Sequence, residues 1–318
     1  MSANAPIRRL AGFAARASVT LLLLWLLAAK VDLAAVGQAL KGASPAWVAA
    51  AFILVSLQAL LATGRWALVC RILGHALPFL AVLRFSLIGL FFNQCLPSAV
   101  GGDAVRVWLA QRAGLALGGA MRSVLLDRMA GLGGLTLITA AALPALLQRV
   151  DNPAMQTGIA LCIALVAALF ALILVADRVP GFPLRFRVAR ALADLGEDAR
   201  KLMLRPGAAA RVVGISLAVH LLIVAAVYAL ARALGIAAGF VDCLALVPPV
   251  ILASAIPVSL AGWGVREGAM VAAFGFIGVA AYQALALSVA LGLALLAVGI
   301  PGGVLWLTGG SPVRAKPQ

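Results

Sequence analysis

Charge is scarce in this chain, and negative charge scarcest of all. Asp, Glu, Lys and Arg make up 11% of its 318 residues, and only ten residues are acidic. A soluble domain carries about 25% charged residues. The ten acids are scattered, with no Asp-x-Asp, and neither His75 nor His220 has an acidic neighbour in sequence. The acidic metal cluster or near-neutral base of a group-transfer enzyme is therefore not visible. Four cysteines (Cys70, Cys95, Cys162, Cys243) stand 25, 67 and 81 residues apart. That spacing excludes a disulfide scaffold and a zinc site, and no metal or cofactor is expected. The 25 basic residues give a net charge of +15. They sit between apolar blocks rather than in a basic domain with interleaved aromatics, which argues against nucleic acid as a partner.

What the chain has in abundance is apolar surface: 64% of residues are hydrophobic, and the mean hydropathy is +1.12. One soluble core cannot absorb that much, so lipid is the expected solvent. A membrane-crossing helix needs about 20 mostly apolar residues. The expected full spans are 13–29, 46–63, 124–147, 156–176, 211–234 and 284–308. The first, with Arg8, Arg9 and Arg16 before its LLLLWLLAA run, reads as an uncleaved span rather than a secretory signal. Two further apolar blocks, 79–96 and 240–256, run into irregular Pro- and Gly-bearing stretches.

Charge sorts these segments. Residues 177–211 hold eight basic side chains, which marks a cytoplasmic loop, and the N-terminus is also basic. An even number of crossings must separate them. That holds if 79–96 enters the membrane and returns through 103–122, as a re-entrant hairpin. A second hairpin over 240–280, entering from the other side, leaves the C-terminus cytoplasmic as well. Eighteen basic residues then lie on the cytoplasmic side and four outside (Lys30, Lys41, Arg149, Arg232), with Arg84, Arg128 and Arg266 at membrane depth. The expected fold is all-α: one polytopic helical membrane domain of about six full spans plus two re-entrant half-helix hairpins. Its first half is 13–176, a cytoplasmic connector covers 177–210, and the second half is 211–308. Residues 96–106 align with 256–266 without a gap, matching Pro97 with Pro257, Gly102 with Gly262, Val105 with Val265 and Arg106 with Arg266. Opposite orientation of the two is the mark of an inverted repeat, chance similarity of two turns being the alternative.

In the connector, Leu184, Val188, Leu192, Leu195 and Leu202 share a helical face that the basic residues avoid. A helix over 183–205 lying on the anionic cytoplasmic leaflet is one reading, and a solvated connector the other.

Irregular backbone at membrane depth belongs where protein or a wet cavity shields it. Pro97 and Pro257 each stop a helix. Ser98 lies beside the first stop, and Gly101, Gly102, Gly262 and Gly264 permit tight turns before the chain resumes as helix. The returning half-helices offer free N–H groups and a partial positive charge. Arg106 and Arg266 close to those starts call for a negative partner. Asp103 and Glu267 can supply part of it, and a phosphate-bearing headgroup the rest; purely internal ion pairs remain the alternative. Asp127 and Arg128, inside an apolar span, are functional candidates on the same ground. Asn93 and Gln94 can satisfy hairpin backbone groups, Asp242 can cap its segment, Arg84 can snorkel, and His220 is a buried hydrogen-bonding group or a proton relay. The stretch GWGVREG has no strand before it and no Walker lysine, so nucleotide binding is not expected.

Together, FFNQCLPSAVGGDAVRVWLA, SVLLDRMAGLGGL and IPVSLAGWGVREGAM resemble the lysylphosphatidylglycerol synthase transmembrane-region family, also called flippase-like membrane proteins. The resemblance runs over roughly 13–308. Relatives include the membrane half of the bacterial multiple peptide resistance factor and a hopanoid-associated branch. Asp127–Arg128 departs from the Glu–Arg pair common there. The resemblance implies a multi-pass protein of the bacterial inner membrane that handles lipids. In the resistance factor a soluble domain performs lysyl transfer, and this chain ends at Gln318, so synthase activity is not expected. The leading expectation is a lipid translocase holding a headgroup between the hairpins. The alternatives are a membrane transferase acting on a polyprenyl or phospholipid phosphate, and a non-catalytic partner of a lipid-modifying system. Small residues in GLALLAVGIPGG and AGLGG would serve internal packing or a homo-oligomer.

Overall fold

A computed structural model describes residues 31–75, 77–95, 101–150, 152–175, 178, 187–254 and 264–309. Within them lie eleven α-helices and no strand: α1 (Leu33–Lys41), α2 (Pro45–Ile72), α3 (Phe79–Cys95), α4 (Gly101–Arg112), α5 (Leu117–Leu147), α6 (Pro153–Val175), α7 (Arg187–Met203), α8 (Pro206–Ala233), α9 (Phe240–Ser254), α10 (Val265–Gly275) and α11 (Ala281–Leu307). Five are long and apolar enough to cross a membrane: α2, α5, α6, α8 and α11. They match five of the six expected spans; the sixth, 13–29, lies outside the described residues. The chain is thus an all-α, multi-pass membrane protein. These helices stay apolar around most of their circumference because lipid, not water, faces their outer sides.

Two span boundaries are corrected. Helix α2 runs on past residue 63 to Ile72, which brings Arg65 inside it. The limb expected over 103–122 is not one piece: α4 ends at Arg112, and α5 starts at Leu117 rather than at 124. Gly114, at φ 107°, takes the left-handed turn between them. The N–H groups of Gly114 and Leu115 close that turn on the carbonyls of Gln111 and Ala110.

Helices α3 and α4 form a hairpin. Asn93 near the end of α3 accepts from the N–H of Gly102 at the start of α4. Gly89, one turn earlier in α3, lies against Arg106, one turn later in α4. That crossed order makes the pair antiparallel. Helices α9 and α10 likewise pack together after a break. The expected helix stops at Pro97 and Pro257, with Ser98 and Gly262, fall outside the described residues.

Helix α2 is antiparallel to α8. Ser44, just before α2, donates its N–H to Ala233 at the end of α8, and Arg65 reaches Ser216 further along. Helix α3 presses onto α11 through glycine. A Cβ on Gly302 would meet the Leu87 carbonyl oxygen at 1.9 Å, and one on Gly299 would meet Phe91 backbone at 3.3 Å. Association between helices in lipid depends on such close approach, since burial from water drives little.

Helix α7 is the strongly amphipathic one, but its apolar side does not face lipid alone. Leu195 and Leu202 are buried against Val69, Leu126 and Val212 of the bundle, whereas Leu192 is exposed. Close backbone approach fixes this seat: a Cβ on Gly196 would lie 2.1 Å from the Ile173 carbonyl oxygen. Asp194 and Asp198 reach Arg122 of α5, which draws the helix inward. Leu184 and Val188 fall outside the described side chains.

The α3–α11 seam gives a direct test of the packing. Gly302→Ala should lower the apparent melting temperature by several degrees, because overpacking a close helix contact costs about 1–3 kcal/mol. Gly214→Ala, where a Cβ meets nothing within 4 Å, should leave it unchanged or raised. Equal melting of both variants would refute the close approach.

Candidate functional site

Five charged side chains from three helices, α2, α4 and α5, form one connected network. At its centre is Asp127 of α5. Its Oδ1 accepts from Arg65 Nε of α2 at 2.8 Å, and its Oδ2 accepts from Arg106 Nη2 of α4 at 2.9 Å. Arg106 also donates Nη1 to Asp103 Oδ1 at 3.1 Å, one turn back on its own helix. The other oxygen of Asp103 accepts from Arg128 Nε. Arg65 extends the chain to Ser216 Oγ of α8 at 3.2 Å. Among the described residues the network joins three guanidinium cations and two carboxylates.

Local sequence explains the placement. Gly101 and Gly102 open α4, and Asp103 in the first turn suits a helix N-terminus. Asn93 Oδ1 satisfies the Gly102 N–H at 3.0 Å, the hairpin role expected of it. Gly102 has no room for a side chain: a Cβ there would lie 2.0 Å from the Gly89 carbonyl oxygen. The Arg106 guanidinium lies 4.0 Å over the ring of Trp66, whose indole Nε1 donates to Ser123 Oγ. Stacking on an aromatic face holds the guanidinium plane without consuming its N–H donors.

A cavity of about 260 Å³ opens beside this network. Its wall includes Arg65, Arg106, Asp127 and Arg128, together with Asn93 and His220. Arg128 is 47% exposed, whereas Arg106 is 12% exposed, so Arg128 marks the open end and Arg106 the deep one. The buried Nε of Arg106 has no hydrogen-bond partner among the described residues. His220 Nε2 lies 2.9 Å from the Gly131 carbonyl oxygen, in the cavity wall.

The second hairpin builds a different object. Gly264, at φ 86°, precedes α10. Its N–H donates to Glu267 Oε2 at 2.6 Å. Glu267 Oε1 accepts from Arg266 at 2.6 Å and from Ser288 of α11 at 3.1 Å. Glu267 is fully buried and its two oxygens are occupied, so the group clamps α10 onto α11. Neither Arg266 nor Glu267 belongs to the wall of the cavity beside Arg106.

Of the candidate residues, Asp103, Arg106, Asp127 and Arg128 come together, with Gly101 and Gly102 at the helix start that carries two of them. Gly264, Arg266 and Glu267 gather separately, while Pro97, Ser98, Pro257 and Gly262 are outside the described residues. Arg65, Trp66 and Ser216 were missed. Arg65 had been placed on the cytoplasmic side because the expected span stopped at 63. An arginine one turn past an apolar run, in a helix that continues, was the available signal. Among the other polar groups, Arg84 reaches the Leu305 carbonyl oxygen at 3.5 Å. Asp242 caps the Gly239 N–H and binds Arg149 at 2.5 Å.

A multi-pass helical bundle with a buried arginine–carboxylate network is the class of protein these features define. The chain belongs to the family described as lysylphosphatidylglycerol synthase TM region, whose model matches residues 13–303. The comparison with curated proteins finds no match.

The charge balance is testable. Removing one partner from a buried ionic network costs about 3–5 kcal/mol, since the remaining charges stay desolvated. Asp127→Asn should therefore depress the apparent melting temperature in detergent sharply, and adding Arg65→Met should recover part of the loss. Wild-type melting of Asp127→Asn would show that the carboxylate does not join these helices.

Proposed function

We propose that this protein is a lipid translocase whose cavity receives the phosphate of an anionic headgroup while the acyl tails stay in the bilayer. The observation that carries the reading is Arg106 Nε, buried beside a cavity and without a hydrogen-bond partner among the described residues. A buried donor left over on a paired guanidinium calls for an acceptor, and an anion supplies one. Arginine suits phosphate because its planar fork offers several N–H donors at once. The cavity's 260 Å³ is several times the roughly 30 Å³ share of one water, enough for a phosphate with part of its headgroup.

The chemistry is exchange of partners. Asp103 and Asp127 hold the three guanidinium groups in place when the cavity is empty of anion. An arriving phosphate takes donors from Arg106 and Arg65 at the deep end and from Arg128 at the open end. When the headgroup leaves, the carboxylates recover those donors, so charge is never left bare. Alternating access built on interrupted helices gives such a site two openings. The hairpin α3–α4, seated on α11 through glycine, is the element that would move.

We favour transport over catalysis for the same site. Each carboxylate is engaged by two arginines, so its oxygens are committed to donors already and are not placed to take a proton from a substrate. The bacterial inner membrane, with both termini cytoplasmic, is the location this reading assigns.

Headgroup-labelled phospholipid flipping in proteoliposomes tests it. Arg106→Gln and Arg65→Gln should each slow flipping at least tenfold while the protein remains monodisperse. Arg106→Lys should rescue only partly, because an ammonium cannot reproduce the fork. Wild-type flipping by Arg106→Gln would refute the assignment.

A further inference from the structure

A second basic groove lies at one end of the same α2–α8 seam. It has a volume of about 480 Å³ and is lined by Leu68, Arg71 and Ile72 at the end of α2, and by Arg205, Gly207 and Arg211 around the start of α8. No acidic residue lines it. Several neighbouring cations, by contrast, are engaged. Arg122 is engaged by Asp194 and Asp198, Lys201 by Glu197, and Arg200 by the Leu174 carbonyl oxygen. Arg71 and Arg205 have no ion-pair partner among the described residues, and Arg211 donates only to its own helix, at Gly207 O. The first turn of α8 adds to the positive field, since Arg205 at the N-cap supplies no side-chain acceptor for its N–H groups.

The surroundings say what kind of anion fits. Met203 and Leu204, next to the groove, are 60% and 80% exposed. Such apolar side chains beside three arginines suit a molecule with a charged head and apolar tails. Basic pockets between membrane helices on the cytoplasmic side hold anionic lipid heads by this combination. We propose that this groove is a second lipid site, which binds the phosphodiester of an anionic phospholipid of the cytoplasmic leaflet through Arg71, Arg205 and Arg211. It lies outside the wall of the central cavity, and the claim does not depend on translocation. Leu68 is three residues from Arg65 on α2, about 5 Å along the axis, so a lipid held here is adjacent to the cavity's seam.

Native mass spectrometry of the whole chain tests it, with phosphatidylglycerol and phosphatidylcholine added in turn. The wild type should bind phosphatidylglycerol in preference. Arg71→Gln/Arg205→Gln/Arg211→Gln should weaken that preference at least tenfold. A second triple variant, Arg112→Gln/Arg190→Gln/Arg232→Gln, loses the same net charge elsewhere and should keep it. Arg106→Gln, which alters the central cavity, should also keep the component that the groove variant removes. Three results would overturn the proposal. Equal loss in both triple variants would mean diffuse surface charge. No loss in the groove variant would mean no site. Displacement of the lipid by millimolar inorganic phosphate would mean a soluble anion site. A triple variant that is not monodisperse is replaced by Arg71→Lys/Arg205→Lys/Arg211→Lys, which should retain preference for the anionic lipid.

Discussion

The carboxylate of Asp127 is the constraint around which the first half of the protein is organised. It stands inside a helix with few other charges and binds one guanidinium from α2 and another from α4. Removing three charges from water is costly, and their mutual attraction offsets that cost only when geometry and hydrogen bonding are good. Both oxygens of Asp127 are used, Trp66 supports Arg106 from one face, and Ser216 takes a further donor from Arg65. The network consequently specifies how α2, α4, α5 and α8 sit together at a depth where apolar packing alone is permissive.

The two hairpins share a sequence pattern but use it differently. In the first, Arg106 shares its carboxylates with Arg65 and Arg128, beside a cavity. In the second, Glu267 lies beside Arg266 in sequence and takes Ser288 and the Gly264 N–H as well, so its oxygens are filled within the clamp. The placement of the acid, Asp103 three before Arg106 against Glu267 directly after Arg266, separates a chain of shared partners from a closed pair. A pseudo-symmetric ancestry is compatible with that division: one half presents charge, and the other anchors its hairpin to α11.

Much of this was legible in the sequence because lipid imposes simple rules. Spans follow from apolar length, and the two shorter apolar blocks, 79–96 and 240–256, form the shorter helices α3 and α9. Asp127 and Arg128 stood out because ionisable residues inside an apolar span are rare, and Asp103 and Arg106 because a cation near a helix start calls for a negative partner. Their pairing was not legible, since Arg65 and Asp127 are 62 residues apart and nothing local announces their contact. Arg65 itself was hidden by a boundary: hydropathy fades at 63, yet the backbone stays helical to Ile72. The apolar face of α7 was read correctly as a face. Its partner was misjudged, because the close approach of Gly196 to Ile173 depends on tertiary structure.

The central claim is that Arg106 spends its spare donor on a lipid phosphate. Solid-state NMR of protein carrying ¹⁵N-arginine, reconstituted in anionic phospholipid, measures this directly through dipolar coupling between guanidinium nitrogen and lipid ³¹P. The arrangement predicts dephasing at the Arg106 Nε signal, identified by its disappearance in Arg106→Gln. An Arg106 signal without phosphorus dephasing, in membranes where the protein is folded, would contradict it.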